Sequence, residues 1–123
     1  MKTILVTDDH TDTNEILCKL LRRSGYRTVS AFSGEAALSV LDSELPDLMI
    51  LDVMMPGMDG IEVLRAVRAN PATSGIPVIV FSGVADPEFQ AHARQKGAND
   101  YWVKGSMDFA HLAKLIASHV SAA

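Results

Sequence analysis

The sequence has little cysteine, no run of basic residues and no long apolar segment, and each absence excludes a class of protein. Cys18 is the single cysteine, so we expect neither a disulfide framework nor a cysteine-based metal site. The net charge is −4 without a basic cluster, which disfavours nucleic acids and anionic membranes as partners. No apolar run is long enough to span a membrane, and we expect no signal peptide because the first apolar run is short. We therefore expect a cytoplasmic monomer without a nucleic-acid or membrane partner.

Apolar residues are plentiful, and they make up 48% of the 123 residues. A chain of this length buries roughly two-thirds of its unfolded surface, which is enough for one hydrophobic core. We therefore expect a single domain over residues 1–123.

Short β-branched segments alternate with longer segments of helical periodicity. The expected strands are Lys2–Thr7, Arg27–Phe32, Asp47–Val53, Pro77–Phe81 and Tyr101–Val103. The expected helices are Thr11–Arg23, Ser33–Ser43, Ile61–Ala69, Asp86–Lys96 and a last one that Ser106 caps and that runs to about Val120. In the first helix, the spacing of Ile16, Leu17, Leu20 and Leu21 predicts a buried face, and we expect Cys18 to be half-buried.

This alternation predicts an α/β fold with a parallel sheet and helices on both faces. Right-handed crossovers leave few topologies, and the strand order 2-1-3-4-5 is the common open form at this size. We therefore expect a five-stranded, doubly wound sheet with five helices. Ligands of such sheets bind at the carboxyl ends of the strands, next to the point where the strand order reverses.

Polar residues follow these strands at the expected ligand edge. Asp8 and Asp9 end the first strand, and Asp52 ends the third, which is the most apolar. Ser82 ends the fourth strand and Lys104 the fifth. Because each comes from a different part of the chain, no local motif explains why they would meet.

Three clustered carboxylates repel one another and favour a bound cation. Two unit charges about 4 Å apart interact by about 4 kcal/mol at an effective dielectric near 20. Carboxylate oxygens suit Mg²⁺, which often binds through one or two carboxylates together with phosphate oxygens. A metal, a carboxylate, a hydroxyl and an ammonium together match the needs of phosphoryl transfer. The alternative is that Asp8 and Asp9 cap the first helix.

The whole chain resembles the receiver domain of bacterial two-component response regulators. The matching pieces are the acidic pair Asp8-Asp9, the central segment DVMMPGMDG that begins at Asp52, Ser82-Gly83, and YWVK ending in Lys104. The resemblance implies the CheY-like, flavodoxin-like fold and an aspartyl phosphate on Asp52. It also implies a sensor histidine kinase or a histidine phosphotransfer protein as phosphodonor. Such a domain catalyses only its own phosphorylation and dephosphorylation, so we do not expect an enzyme.

The resemblance also assigns the metal ligands. Asp9 would bind Mg²⁺ directly, and Asp8 directly or through water. Asp52 and the backbone carbonyl of Met54 would complete the protein ligands. His10 follows the acidic pair, and we expect it to be exposed and without a clear role.

The remaining site residues are assigned in the same way. Ser82 would bind a phosphoryl oxygen and report phosphorylation, and Lys104 would pair with the same group. Tyr101 falls at the position of the family's switch aromatic, so the partner-binding face would change when it rotates. Trp102 and Phe109 are expected to serve in packing or in a partner surface.

Two departures from the family pattern concern the loops around the site. Gly105 replaces the usual proline after the lysine, and we expect a trans Lys104–Gly105 bond because a cis bond without proline costs about 2.5–4 kcal/mol. Met54 and Val84, two positions beyond Asp52 and Ser82, influence the phosphoryl lifetime in the family. Neither side chain holds an attacking water by a strong hydrogen bond, so we expect slow self-hydrolysis.

Several rival functions share parts of this pattern. A flavin-nucleotide module needs a glycine- and hydroxyl-rich loop where Asp8 and Asp9 stand. A cobalamin-binding D-x-H-x-x-G pattern fails at Thr13, and a haloacid-dehalogenase-type phosphatase needs a second aspartate at the position of Met54. Two further alternatives remain open, a receiver cut from a larger regulator or hybrid kinase and a non-phosphorylated docking domain.

Overall fold

The computed structural model describes residues 1–104 and 108–120. The strands are β1 (Thr3–Thr7), β2 (Arg27–Ala31), β3 (Leu48–Leu51), β4 (Val78–Ser82) and β5 (Asp100–Val103). The helices are α1 (Thr11–Arg23), α2 (Gly34–Ser43), α3 (Gly60–Ala69), α4 (Pro87–Gln95) and α5 (Phe109–His119). None of the described helices combines the length and the apolar character needed to cross a bilayer.

The strands form one parallel sheet in the order β2-β1-β3-β4-β5, which confirms the predicted topology. β1 and β3 are central and buried along their whole length, as expected for strands covered on both faces. The register pairs Thr7 with Leu51 at the carboxyl ends of these two strands. This alignment places residue 8 beside residue 52 at the reversal of strand order.

Side chains of successive strand residues point to opposite faces, so the sheet separates two cores. One core packs against α1 and α5 and includes Ile4, Leu17 and Ile116. The other packs against the helices on the opposite face and includes Leu5, Leu64 and Ala93. Both faces of the sheet are thereby covered, and its polar strand ends are left as the place for a site.

Most predicted boundaries agree with the structure to within two residues, but two local predictions in α1 were wrong. The N-cap of α5 is Asp108, whose carboxylate accepts from the amide of Ala110 at 3.0 Å, and the predicted cap Ser106 lies outside the described residues. Ile16 is 57% exposed because the buried stripe of α1 contains Asn14, Leu17, Cys18 and Leu21 instead. Cys18 is fully buried within that stripe rather than half-buried.

Candidate functional site: an acidic cluster with a paired lysine

The turn between β1 and α1 holds the acidic pair. Asp8 is 1% exposed, and its amide donates to the carbonyl of Ala31 at 3.1 Å. The buried carboxamide of Asn14 places Nδ2 within 3.0–3.3 Å of the carbonyls of Val6, Asp8 and Ala31. Asn14 therefore holds the backbone of this turn through its side-chain amide, a role that the sequence alone did not reveal.

The acidic pair does not cap α1, which removes the capping alternative. The N-cap residue is His10, and it makes no side-chain cap hydrogen bond. Asp8 Oδ1 accepts from the amide of His10 at 2.9 Å, and this amide belongs to the N-cap itself rather than to the first turn. The carboxylates therefore lie at the edge of the sheet and do not cap the N-terminus of α1.

Asp52 follows β3 and is 1% exposed. Its amide donates to the carbonyl of Thr7 at 2.9 Å, which extends the sheet pairing to the site. Its carboxylate Oδ1 accepts from the amide of Met54 at 3.1 Å. Gly60 packs directly behind it, since a Cβ there would lie 2.3 Å from the Asp52 carbonyl oxygen. Backbone on both sides therefore fixes the position of this carboxylate.

Lys104 joins the acids of two different strands. Its ammonium lies 3.0 Å from Asp8 Oδ2 and 3.2 Å from Asp52 Oδ2. The contact with Asp52 has the geometry of a hydrogen bond, whereas the contact with Asp8 is an ion pair by distance only. The same ammonium lies 5.0 Å from the ring centroid of Phe81, which stacks on Trp102 at 4.7 Å. The lysine is thus held between two carboxylates and an aromatic face.

Burial and charge shift the ionisation of this pair in defined directions. Burial raises the pKa of Asp52, and the Asp8 carboxylate raises it further against the opposing effects of the Met54 amide and Lys104. Burial alone would lower the pKa of Lys104, but its contacts with Asp8 and Asp52 raise it overall. The ionised form of Asp52 is therefore disfavoured in the folded chain, mainly by burial, and Lys104 does not fully offset this cost.

We expect this cost to appear in the pH dependence of stability. Because the pKa of Asp52 is raised in the folded chain, its contribution to stability is largest below the ordinary value of 3.8 and is lost as pH rises through the folded pKa. At neutral pH and without divalent cations, Asp52→Asn should therefore raise the melting temperature by a few degrees. The exposed Asp42→Asn is the control and should leave it unchanged, while a lower melting temperature for Asp52→Asn would contradict the predicted direction.

The donor set fits a divalent cation. Asp8, Asp9, His10 and Asp52 each offer one ligand atom, and these atoms lie within 4.8 Å of one another. Asp8 Oδ2 and Asp9 Oδ1 are buried and accept no hydrogen bond within the described part of the chain. Buried carboxylate oxygens without a hydrogen-bond donor are costly. The Lys104 ammonium lies near Asp8 and Asp52, and a divalent cation would supply the further positive charge that three carboxylates favour. The Met54 carbonyl as a further ligand stays a prediction.

The hydroxyls of Ser82 and Tyr101 both form hydrogen bonds with the backbone of Val84 rather than with the acidic cluster. The buried hydroxyl of Ser82 accepts from the amide of Val84 at 3.1 Å. The Tyr101 hydroxyl donates to the carbonyl of the same residue at 2.7 Å, and burial raises the pKa of this phenol. The ring packs edge-to-face on Phe89 of α4, with centroids 6.3 Å apart. Among the described residues, neither hydroxyl bonds to Asp52, so the two contact the loop after β4 instead.

The remaining predicted positions are less constrained. Met54 is 64% exposed beside Asp52. His10 is exposed as expected, yet its ring contacts both Asp8 and Asp9. The only sign of this contact in the sequence is that His10 directly follows the acidic pair. The predicted trans Lys104–Gly105 bond lies outside the described residues.

The fold and the site together define a doubly wound α/β domain with an acidic, lysine-paired ligand site at the reversal of strand order. The family model of the response regulator receiver domain matches residues 4–117. The chain therefore belongs to the receiver domains of two-component systems, as the sequence motifs predicted.

The similar proteins have different lengths. An uncharacterized 14.6 kDa protein of Leptolyngbya boryana is 40% identical over 101 residues, which are 82% of this chain and 77% of that protein. The DNA-binding response regulator MtrA of Mycobacterium leprae is 38% identical over the same share of this chain but only 44% of its own length. The chain thus spans less than half of this longer curated relative.

A solved structure shows a related fold with ligands bound. The response regulator TrrA of Thermotoga maritima, in complex with Mg²⁺ and BeF, is 31% identical and superposes with a TM-score of 0.87. The match covers 98% of this chain and all of that one.

Proposed function

We propose that Asp52 accepts a phosphoryl group from a phosphohistidine of a sensor kinase or a phosphotransfer protein, with Mg²⁺ as cofactor. The observation that carries this proposal is the Asp52 carboxylate, which is buried among Asp8, Asp9 and Lys104 at the carboxyl end of β3. The magnesium-bound TrrA complex supports the choice of cation. Residues 1–123 would act as one receiver unit.

In the transfer, an oxygen of Asp52 forms a bond to phosphorus as the phosphorus–nitrogen bond to the donor histidine breaks. Mg²⁺ on the acidic cluster would neutralise charge on the equatorial phosphoryl oxygens. The Met54 amide holds Asp52 Oδ1 at 3.1 Å and so orients the carboxylate for attack. The Lys104 ammonium, 3.2 Å from Oδ2, moves onto the transferred group and stabilises its new charge.

The product places roughly −1.5 to −2 charges at one point. The Ser82 hydroxyl, now turned to the Val84 amide, then rotates toward the phosphoryl oxygens and releases that loop. Tyr101 is bonded to the carbonyl of Val84, so its ring follows the same loop. The surface of α4, β5 and α5 would thereby present a different shape to a partner.

The direct test is incubation with a small phosphodonor and Mg²⁺, followed by intact mass measurement. The wild-type chain should gain one phosphoryl group, and a chelator should prevent the gain because the acidic cluster then lacks its cation. Labelling that persists in chelator would contradict the metal-dependent mechanism.

The second candidate is a receiver unit of a larger regulator, and the length of the curated relative MtrA favours it. In that case a further domain would contact DNA, because these 123 residues have a net charge of −4 and contain no run of basic residues. The expected absence of a nucleic-acid partner is therefore a prediction for this stretch of 123 residues only.

The apolar residues Met54 and Val84 predict a long-lived phosphoryl group. The exposed Met54 side chain offers no donor for an attacking water, and Val84 contributes only its backbone to the network with Ser82 and Tyr101. The double variant Met54→Asn with Val84→Glu should raise the hydrolysis rate about tenfold or more, because both new side chains can hold water. The rate is measured as loss of phosphoryl mass over time.

The matched control keeps both positions apolar. Met54→Leu with Val84→Ile should leave the hydrolysis rate close to that of the wild type. Equal rates for the polar and the apolar double variants would show that these positions do not control the lifetime.

A further inference from the structure

His10 adds a nitrogen donor to an otherwise all-oxygen cluster. Its ring Nδ1 lies 3.2 Å from Asp8 Oδ1 and 3.4 Å from Asp9 Oδ1. The imidazole is 63% exposed, so it can exchange a solvent contact for a metal without breaking the core. The amide of the same residue donates to Asp8 Oδ1 at 2.9 Å, and this anchors the backbone that carries the ring.

These spacings are those of donors that share one cation. Bonds of about 2.1 Å place neighbouring donors about 3.0 Å apart in an octahedral site and about 3.4 Å apart in a tetrahedral one. The two distances from Nδ1 fall at about these values, and the shorter one also has the geometry of a hydrogen bond. Independently of this spacing, Asp9 Oδ1 is buried and accepts no hydrogen bond from the described residues, whereas Asp8 Oδ2 lies 3.0 Å from the Lys104 ammonium.

Donor chemistry then decides which cation the cluster prefers. Mg²⁺ favours oxygen ligands and retains its waters, so a nitrogen donor adds little to its binding. Imidazole suits Zn²⁺ and the later transition metals, and their affinity for nitrogen and oxygen sites exceeds that of earlier divalent ions. A histidine next to two carboxylates therefore changes the selectivity of the site.

We propose that His10, with Asp8 and Asp9, forms a mixed nitrogen–oxygen site that binds Zn²⁺ and similar borderline cations more tightly than Mg²⁺. The inference rests on the proposed function, because it concerns the same acidic cluster. Zn²⁺ bound there occupies the carboxylates that Mg²⁺ would use, so it competes with Mg²⁺. Zinc would then set how much of the protein is available for phosphoryl transfer.

The test compares three metal-free proteins by calorimetric titration with Zn²⁺ alone and Mg²⁺ alone. They are the wild type, His10→Ala, and His111→Ala as a control that removes an exposed imidazole elsewhere. The His10 variant should bind Zn²⁺ at least about tenfold more weakly than the wild type. Its affinity for Mg²⁺ should fall by less than about threefold, since magnesium uses the oxygens.

A visible absorbance titration with Co²⁺ gives a second readout that does not depend on activity. The wild-type and His111→Ala proteins should give a ligand-field band that His10→Ala loses. Equal zinc affinity or equal cobalt spectra for His10→Ala and wild type would overturn the inference while leaving magnesium-dependent labelling of Asp52 intact. If the wild type neither bound Mg²⁺ nor accepted a phosphoryl group, the proposed function itself would fall, and this inference with it.

Discussion

Asp52→Asn should abolish phosphoryl labelling, with a loss of at least about a hundredfold, because the amide is a far weaker nucleophile than the carboxylate. The substitution keeps the size of the side chain and the hydrogen bond from the Met54 amide. It also removes one charge from a cluster in which Asp52 carries a raised pKa, so the folded state should not be weakened. Intact mass after incubation with phosphodonor and Mg²⁺ measures the effect.

Asp59→Asn provides a matched control seven residues away in the same loop. Asp59 caps α3 by accepting from the amide of Glu62 at 3.0 Å, and asparagine caps about as well. This variant should be labelled like the wild type. If Asp52→Asn were labelled as fully as Asp59→Asn, the acceptor would be another residue and the central proposal would be wrong.

Gly60→Ala should destabilise the protein by about 1–3 kcal/mol or more, because there is no room for a methyl group at this position. Its Cβ would lie 2.3 Å from the Asp52 carbonyl oxygen and 2.5 Å from the Val53 Cα. Both neighbours are backbone atoms, so relief requires a shift of the strand end that carries Asp52, the proposed acceptor. Denaturant unfolding measures the loss of stability, and the rate of phosphoryl labelling should fall with it.

Gly75→Ala is the control because a Cβ at this exposed glycine meets nothing within 4 Å. Its effect should be small, and a gain of about 0.4–1 kcal/mol is expected if the unfolded chain loses entropy. Similar losses for the two alanine variants would mean that the close approach at Gly60 has little energetic consequence. A Gly60→Ala protein of normal stability and normal labelling would contradict the packing argument directly.

The secondary structure was readable from the sequence where periodicity was strong. Alternation of β-branched strands with amphipathic helices predicted the strand order, because parallel strands with right-handed crossovers permit few arrangements. Helix α1 shows the limit of this reasoning. The spacing suggested Ile16 as a core residue, but the structure buries Asn14 and Cys18 in the stripe instead. Hydrophobicity alone could not reveal that a buried carboxamide would bind the carbonyls of two strand residues and of Asp8 in the turn after β1.

The sequence also located the carboxylates and the lysine of the site, although their roles in phosphoryl transfer remain proposals. Strand ends gather at one edge of a parallel sheet, so Asp8, Asp52 and Lys104 could be expected together despite their separation along the chain. The sequence could not show that the Lys104 ammonium contacts the carboxylates of both Asp8 and Asp52, since these distances depend on how the lysine side chain packs. Nor could the sequence show that the hydroxyls of Ser82 and Tyr101 both form hydrogen bonds with the backbone of Val84.

The sequence by itself therefore determined the fold and the family, because the repeating pattern of apolar residues and the motifs at strand ends carry that information locally. The tertiary structure alone decided the contacts that set the chemistry. It placed the His10 ring against both acids, left buried carboxylate oxygens without donors, and pressed Gly60 against the Asp52 backbone. These features depend on distances of a few ångströms between residues from separate elements, and only the packed chain fixes such distances.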